Sequence, residues 1–379
     1  MIYCPLCYQP GAQRQFSGRD RVHGIPGEFS IYHCEYCQAY FIQPWLTMQE
    51  LLRYYPEDYG RFRHGESLQR KRHDDWRRFI LEHHYGYPSQ SRLRKSRAAR
   101  IAARVLSWVA AKGVIPYRGS GRVLDIGTGG GSYLFRLKQW GWSTFGVEPS
   151  ETGYQRARSL GLNVFHGTLE AAGFPDSFFD VVRLSNVLEH LPNPRATFEE
   201  IYRILRPDGL VYVTVPNTDS MVFRLFRENW YAIDVPRHVI SYSPKTLKTL
   251  AELTGFTIQD QDFSAGPFNF VRSIRYLLEA QKDRYPSWLR RINWEHSKFI
   301  RRALRPFFFL VDSAGHGDFV HATLLKKARL VPEIYPAVTS LADAISGNLA
   351  LARDPARENP DHPAATYLAG NRARSQSRS

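Results

Sequence analysis

The stretch VLDIGTGGGSYL at residues 123–134 constrains the fold of this chain more than any other part of its sequence. An apolar run containing Val123, Leu124 and Ile126 leads directly into a glycine-rich turn, and a helix-like stretch follows. In parallel sheets this pattern places backbone N–H groups at a helix N-terminus, where they meet a bound ligand. The stretch therefore predicts the first strand of an α/β sheet with a cofactor or nucleotide site at its end.

Apolar segments and helical segments alternate through the rest of the central region. Further strands are predicted at residues 144–148, 163–166, 180–184, 210–216, 256–263 and 319–326. The intervening helices are predicted at residues 151–160, 195–205 and 244–254. Strands that alternate with helices in units of ~30 residues indicate a doubly wound, parallel sheet. With the first strand included, we predict an α/β fold with a seven-stranded, mostly parallel sheet.

All four cysteines lie near the start of the chain, in the pairs Cys4–Cys7 and Cys34–Cys37. Each C-x-x-C knuckle can place two thiolates on a tetrahedral zinc ion, and the loop between the knuckles can bring both pairs to one ion. Two disulfides are the alternative, which a reducing cytosol disfavours. Four protein ligands leave no open position for water, so we predict a small structural zinc ribbon over residues 1–43.

Composition limits the class of protein and the class of partner. With 379 residues, 43% of them hydrophobic, the chain is long enough for about two globular domains. No apolar run approaches the ~18 residues of a membrane span, and no early segment has the pattern of a secretory signal, so we expect a cytoplasmic protein. The net charge of +15 fits three kinds of anionic partner, namely nucleic acid, a membrane surface or a phosphorylated substrate.

Two regions outside the sheet are distinguished by their composition. We interpret residues 44–94 as a helical, basic adaptor, which starts with a short helix capped near Thr47. A solvated helical face and an anion-binding patch both explain its many arginines. Residues 328–379 form a C-terminal extension that is predicted to be disordered from about residue 354, because that part is polar and arginine-rich.

The glycine turn itself discriminates between ligands. A phosphate-binding P-loop requires Gly-Lys-Ser/Thr after the turn, and the dinucleotide fingerprint requires glycine where Ser132 stands. The residues present are D-x-G-x-G-x-G, formed by Asp125, Gly127, Gly129 and Gly131. This pattern resembles the first motif of class I S-adenosylmethionine-dependent methyltransferases.

The resemblance covers residues 95–327 and implies a Rossmann-like methyltransferase fold that binds S-adenosylmethionine. In that family, glycines let the backbone approach the methionine moiety, and an acidic residue at the position of Glu148 accepts hydrogen bonds from both ribose hydroxyls. The residues that the resemblance assigns to the cofactor are Asp125, Gly127, Gly129, Gly131, Glu148, Thr168, Leu169, Glu170, Ser185 and Asn186.

A narrower resemblance includes the cysteine ribbon and the segment NWYAIDVPRHVISYSPKTLKTLAELTGF. Together with the core, these resemble methyltransferases of bacterial surface-polysaccharide and sugar biosynthesis. Zinc-bearing sugar C-methyltransferases share this plan, but they place an aromatic residue just before a glutamate–histidine pair, where Val187 and Leu188 stand here. We therefore expect O-methylation of a sugar or glycan-type acceptor, carried by a lipid or a nucleotide or neither.

Two histidines are candidates for removing the proton of an acceptor hydroxyl. His190 lies on the loop after the fourth strand, and Glu189 is placed to orient it. His238 lies in residues 217–243, which we interpret as an acceptor lid, and it is either a second base or a residue that ties down the lid. Arg237 and Asp234 are predicted to bind the acceptor, because a guanidinium can hold a phosphate or carboxylate.

Other functions remain compatible with parts of the sequence. An RNA methyltransferase would use the zinc ribbon and the basic surface, although the loop after the fourth strand lacks the motif common in amino-methylating enzymes. A non-catalytic, cofactor-binding scaffold is the alternative that is not an enzyme. Residues 268–312 are predicted as a helical insertion that closes over the acceptor site, forms a homodimer contact, or contacts an anionic membrane at the inner face of the plasma membrane.

Overall fold

The computed structural model describes residues 2–55, 74–88, 96–110, 114–292, 294 and 297–327. The predicted C-terminal extension and the basic part of the adaptor at residues 56–73 and 89–94 lie outside these residues. The predicted domain boundaries stay predictions.

Eleven strands and eleven α-helices are defined within this part of the chain. The strands are β1 (Gln13–Gly18), β2 (Phe29–His33), β3 (Tyr40–Gln43), β4 (Arg122–Ile126), β5 (Ser143–Glu148), β6 (Asn163–His166), β7 (Phe179–Ser185), β8 (Leu205–Pro216), β9 (Ile240–Ser241), β10 (Phe256–Ser264) and β11 (Phe319–Lys326). The helices are α1 (Met48–Leu52), α2 (Asp74–His83), α3 (Arg97–Ala110), α4 (Ser132–Gln139), α5 (Glu151–Ser159), α6 (Pro194–Ile204), α7 (Met221–Phe226), α8 (Pro244–Leu253), α9 (Pro267–Ala280), α10 (Ser287–Arg291) and α11 (Lys298–Ser313).

The central sheet has seven strands in the order β10-β11-β8-β7-β4-β5-β6. The pairs from β8 to β6 are parallel, and β11 runs antiparallel to both of its neighbours. This confirms the predicted doubly wound α/β fold, with a seven-stranded, mostly parallel sheet. Because the strand order changes direction at β4, the carboxyl ends of β4 and β7 open a crevice of the kind that binds ligands in such sheets.

Local signals in the sequence explain where several elements begin and end. α1 begins at the predicted cap, Thr47, which forms a reciprocal capping box with Glu50. Ser243 caps α8 through the N–H of Thr246, and a proline follows at the first helical position. β8 begins at Leu205 rather than at residue 210, because Leu205 pairs with Phe179 before a shift in register.

A second, four-stranded antiparallel sheet contains the cysteine knuckles at its edge, in the order β1-β2-β3-β9. Its last strand comes from the predicted acceptor lid, since Ile240 pairs with Phe41 and Ser241 with Tyr40. Apolar side chains of this sheet also join the core of the central sheet in one continuous cluster. The N-terminal sheet therefore shares one core with residues 217–243, whose role as an acceptor lid stays a prediction.

The predicted insertion is helical and comprises α9, α10 and α11. One side of α11 packs inward through Phe308, whereas Phe299, Phe309 and Leu310 are 81%, 64% and 66% exposed. Among the described residues, no helix combines the length and the apolarity that a membrane crossing requires. The lid, homodimer and membrane contacts proposed for this insertion stay predictions.

Candidate active site

The glycine turn follows β4 at the carboxyl edge of the central sheet. Gly129 has a φ of 55°, and a Cβ atom built there would meet no atom within 4 Å, so this glycine faces open space. At Gly127 a Cβ atom would lie 2.5 Å from Val187 Cγ2, so that glycine is needed for packing. The turn thus combines close packing beneath it with room for a ligand above it, which fits the predicted cofactor site.

Glu148 ends β5 next to this turn. Its Oε2 accepts a hydrogen bond from Gly129 N at 2.6 Å, and its Oε1 accepts one from Ser150 N at 2.9 Å. Burial raises the pKa of Glu148, while the two N–H donors oppose that shift. A carboxylate has about four lone-pair sites, so two remain for a ribose diol. The residues present therefore fit S-adenosylmethionine.

Changing Glu148 to alanine is expected to weaken the binding of S-adenosylmethionine by more than roughly tenfold. Hydrogen bonds to a charged group are worth ~1.5–3 kcal/mol each, before water compensates for their loss. Titration calorimetry measures the effect. Glu151→Ala is the matched control, because the Glu151 side chain is 62% exposed and lies on the neighbouring helix α5. Equal affinity of the Glu148 variant and the native protein would contradict the cofactor assignment.

The carboxylate of Asp125, a residue that the resemblance assigns to the cofactor, is bound within the protein. Its side chain is buried, and its Oδ1 accepts a hydrogen bond from Arg183 Nη1 at 2.7 Å. The Arg183 guanidinium in turn lies 3.9 Å from the ring centroid of Tyr133. Asp125 therefore ties β4 to β7 and to α4, and its carboxylate is committed within the protein.

The remaining predicted cofactor residues follow the ends of β6 and β7. Thr168 and Glu170 are exposed, and Leu169 between them is buried. Glu170 accepts a hydrogen bond from Thr197 Oγ1 at 2.8 Å, which anchors this loop to α6. Ser185 ends β7, Asn186 follows it, and Gly131 precedes α4. These residues share the carboxyl edge of the sheet with Glu148, and their contacts with a cofactor stay a prediction.

His190 lies in a short 3-10 helix, Leu188–His190, immediately after β7. Its Nδ1 is 2.9 Å from the carbonyl oxygen of Arg237 and 2.7 Å from Tyr55 Oη. A carbonyl oxygen only accepts hydrogen bonds, so we assign the ring proton to Nδ1 and the lone pair to Nε2. In this tautomer the half-buried ring can take up a proton.

The ring of His238 packs edge-on against that of His190, with 4.6 Å between the centroids. Its Nδ1 is 2.9 Å from the carbonyl oxygen of Ala232. Its Nε2 lies 4.0 Å from a carboxylate oxygen of Glu189 and 3.9 Å from one of Asp234. The structure thus brings Glu189, His190 and His238 together, and the role of Glu189 in orienting His190 stays a prediction. Their ligand atoms lie within 4.8 Å of one another, a spacing that a metal ion could also bridge.

The structure corrects the acceptor-binding role predicted for Arg237. Its guanidinium is fully buried and forms ion pairs with Asp20 at 2.8 Å and Asp234 at 2.6 Å. It also donates to the carbonyl oxygen of Tyr54 at 3.1 Å. The side chain therefore holds the lid segment against the N-terminal sheet, and Asp234 serves as one of its partners.

Asp20 and Tyr55 also belong to this site, although the sequence motifs do not indicate them. Asp20 accepts hydrogen bonds from the N–H groups of Val22 and His23, both at 3.0 Å, in addition to pairing with Arg237. Asp20 lies in no motif, Tyr55 follows the short helix after the cysteine ribbon, and each is more than 130 positions from its partner in the site. No local signal in the sequence could have identified them.

The four cysteine thiols converge at the edge of the N-terminal sheet. The Sγ atoms of Cys4 and Cys37, and those of Cys7 and Cys34, are each 3.6 Å apart, and all four cysteines are free of disulfides. Thiolates arranged tetrahedrally around zinc at about 2.3 Å are separated by about 3.8 Å, which fits these distances. Thr246 Oγ1 donates to the carbonyl oxygen of Cys37 at 2.8 Å, so the second knuckle is anchored to α8.

Protein purified without chelator is expected to contain one zinc ion per chain. The four thiols would bind it, because their spacing matches a tetrahedral site and the chain has no other cysteine. Elemental analysis by plasma mass spectrometry gives the stoichiometry, and Cys34→Ser is expected to lower it. Native protein without any bound metal would rule out the zinc ribbon.

Comparisons with known proteins agree with this geometry. Residues 91–261 match a family model described as a methyltransferase domain. The Ubiquinone biosynthesis O-methyltransferase of Pseudomonas fluorescens strain Pf0-1 is 25% identical over 152 residues, which cover 37% of this chain and 66% of the relative. A Probable S-adenosylmethionine-dependent methyltransferase of Mycolicibacterium smegmatis is 30% identical over 149 residues, which cover 38% of this chain and 56% of that relative. The chain thus spans two thirds or less of the length of these relatives.

Solved structures are also similar to part of the chain. A methyltransferase in complex with the Trm112 activator of Haloferax volcanii has a TM-score of 0.41 and 20% identity, covering 60% of this chain and 93% of that one. A methyltransferase of Thermotoga maritima, described as a possible histamine N-methyltransferase, has a TM-score of 0.38 and 22% identity, covering 56% and 84%.

Proposed function

We propose that this protein transfers a methyl group from S-adenosylmethionine to a hydroxyl oxygen of a sugar or glycan-type acceptor. The match of residues 91–261 to a methyltransferase domain supports the methyl transfer. The position of His190 at the carboxyl edge of β7, with its Nδ1 held by a backbone carbonyl, is the observation on which the proposal rests. The names of relatives that are O-methyltransferases support oxygen as the methylated atom. The cysteine ribbon, the core and the segment that contains His238 together resemble methyltransferases of sugar biosynthesis, which supports a sugar or glycan as the acceptor.

The glycine turn and Glu148 would hold the cofactor, which supplies an electrophilic methyl group on a sulfonium. The protein's own task is then to orient an acceptor hydroxyl and remove its proton. His190 accepts that proton at Nε2, while the carbonyl oxygen of Arg237 keeps the ring in place through Nδ1. Glu189 is buried, and one of its carboxylate oxygens lies within 4.8 Å of a ring nitrogen of His190, so it stabilises the imidazolium that forms.

The acceptor class is tested with glycans from cells that carry the gene and from cells that lack it. Mass spectrometry is expected to show the loss of one methyl group from a surface glycan in cells without the gene. Expression of the native protein is expected to restore the methyl group. An unchanged glycan profile with a loss of methylation in RNA would instead support an RNA methyltransferase.

A sugar C-methyltransferase and a non-catalytic scaffold would each give a different result in the same experiment. A methyl group restored on a ring carbon would support a sugar C-methyltransferase. A protein that binds S-adenosylmethionine but restores no methyl group on any product would support a scaffold. Fractionation of the same cells tests whether the protein associates peripherally with the membrane.

A further inference from the structure

Two rows of polar side chains cross four strands of the central sheet on one of its faces. Strand registers place Ser185, Thr214, His321 and Asp262 side by side across β7, β8, β11 and β10. A second row, two residues along each strand, contains Arg183, Tyr212, Thr323 and Asp260. The opposite face of β7, β8 and β11 carries fully buried aliphatic side chains such as Leu184, Val213 and Val320.

This alternation differs from that of an ordinary parallel sheet in an α/β protein. Such sheets are covered by helices on both faces, and their central strands read as continuous apolar runs. Here β8 and β11 instead alternate buried aliphatic residues with half-buried polar ones. The polar face is therefore suited to contact with water or with a polar ligand.

A groove of about 880 Å³ lies over the polar face. Its floor is formed by the two rows, and His84, Tyr85 and Ser107 border it from the region of α2 and α3. Ser185 and Asn186 line it at the carboxyl edge of β7, where the sequence predicts the cofactor. A ligand in the groove can therefore extend toward the glycine turn.

His321 joins hydroxyl groups from the neighbouring strands on the floor of this groove. Its Nε2 is 2.7 Å from Ser264 Oγ, and its Nδ1 is 3.0 Å from Thr214 Oγ1. A neutral imidazole donates from one nitrogen and accepts at the other, so the ring fixes the direction of both hydroxyl groups. The result is a row of oriented donors and acceptors, which suits a ligand with several hydroxyl groups.

The charges along the groove argue against an anionic ligand. Asp260 and Asp262 place two carboxylates on its outer strand, although the whole chain carries a net charge of +15. The guanidinium of Arg183, which also lines the groove, is bound by Asp125 at 2.7 Å. Tyr212 and Phe319 add aromatic surface to the lining. Pockets that combine aromatic surface with a few oriented polar groups are typical of small-molecule sites.

We infer that this groove binds a neutral, polyhydroxylated ring, that is, an uncharged sugar unit. The hydroxyl groups of Ser264 and Thr214, which His321 orients, would contact the ring. The identification of that ring as part of the methyl acceptor rests on the proposed function. The binding of such a ring in the groove does not depend on the proposed function.

Saturation-transfer NMR with methyl glycosides of glucose, galactose, mannose and rhamnose tests the inference on the full-length protein. At least one glycoside is expected to receive saturation from the native protein. Thr214→Val is expected to weaken the binding of that glycoside by about fivefold, because the substitution removes one oriented hydroxyl group without changing the size of the side chain. Thr249→Val, on α8 and outside the groove, is the matched control and is expected to bind as the native protein does.

A crosslinking experiment with the native protein does not depend on the stability of any variant. A methyl glycoside that carries a diazirine is expected to label peptides from residues 179–186, 212–216, 256–264 or 319–323. Labelling confined to other peptides would overturn the inference, as would equal glycoside binding by the native protein and Thr214→Val. Tighter binding of glucose 1-phosphate than of methyl glucoside would overturn the assignment of a neutral ligand.

Calorimetry with S-adenosylmethionine on the same samples separates this inference from the proposed function. If the cofactor binds and no glycoside does, the groove assignment is wrong while methyl transfer stands. If glycosides bind in the groove and the cofactor does not bind, the groove assignment stands and the proposed function is wrong.

Discussion

Replacing His190 by glutamine is expected to lower turnover by ~10²–10⁴-fold while leaving the affinity for S-adenosylmethionine unchanged. Glutamine preserves much of the size and hydrogen-bonding capacity of histidine, but its amide cannot accept the proton of a hydroxyl group. Its side-chain N–H can still donate to the carbonyl oxygen of Arg237, which now holds Nδ1 at 2.9 Å. The local structure should therefore survive, and the loss should fall on the chemical step.

The assay does not require the acceptor to be identified in advance. Glycans extracted from cells without the gene contain it in unmethylated form, and S-adenosylmethionine with a radioactive methyl group reports transfer. His238→Gln is the matched comparison, because the two rings are in contact and differ in their partners. This variant is expected to raise the Michaelis constant for the acceptor, as the loss of binding common to ground and transition states does.

Different combinations of results would reassign the two histidines. If His238→Gln loses turnover and His190→Gln keeps it, His238 is the base. If both variants keep turnover, neither histidine removes the proton, and methyl transfer relies on positioning or on another group.

Interactions that are local in sequence could be predicted, and the structure bears them out. The strand at residues 163–166 and the strand at residues 319–326 have the predicted limits, because short apolar segments between turn residues specify them. The capping box at Thr47 depends on two residues three positions apart. The sequence predicts Glu148 beside the glycine turn because parallel strands end at the same edge of a sheet, and Gly129 N donates a hydrogen bond to it.

Interactions between distant residues could not be predicted in the same way. The burial of Arg237 depends on Asp20, which is 217 positions away and lies in the loop after β1. From sequence alone, an arginine between a proline and a histidine looks available to a ligand. Similarly, nothing in the sequence of Ile240–Ser241 indicates that it completes the sheet of the N-terminal ribbon. The wrong role for Arg237 and the strand that was not predicted both concern the contact between the ribbon and residues 217–243. This contact brings distant segments of the chain together.

Replacing Arg237 by methionine is expected to lower the free energy of unfolding by about 3–5 kcal/mol, because it leaves the buried carboxylate of Asp20 without its cation. Denaturant unfolding measures this change and requires neither cofactor nor acceptor. Arg224→Met is the matched control, since Arg224 pairs with Asp219 on the surface, where the side chains are 56% and 50% exposed. An exposed pair of this kind contributes at most about 1 kcal/mol.

The same variant is expected to show a characteristic dependence on pH. Burial raises the pKa of Asp20, but the hydrogen bond and charge of Arg237, together with the N–H groups of His23 and Val22, outweigh it, so the pKa is lowered overall. A lowered pKa means that the pair stabilises the native protein above the ordinary aspartate pKa of about 3.9, and that this stabilisation is lost as the pH falls through the lowered value. Without Arg237, only the backbone N–H groups oppose the effect of burial, so the pKa of Asp20 rises and the carboxyl group becomes neutral at a higher pH. The difference in stability between the native protein and Arg237→Met should therefore narrow as the pH falls toward 4. If Arg237 instead bound the acceptor, the variant would keep its stability at every pH and raise only the Michaelis constant, which would restore the role that the sequence first suggested.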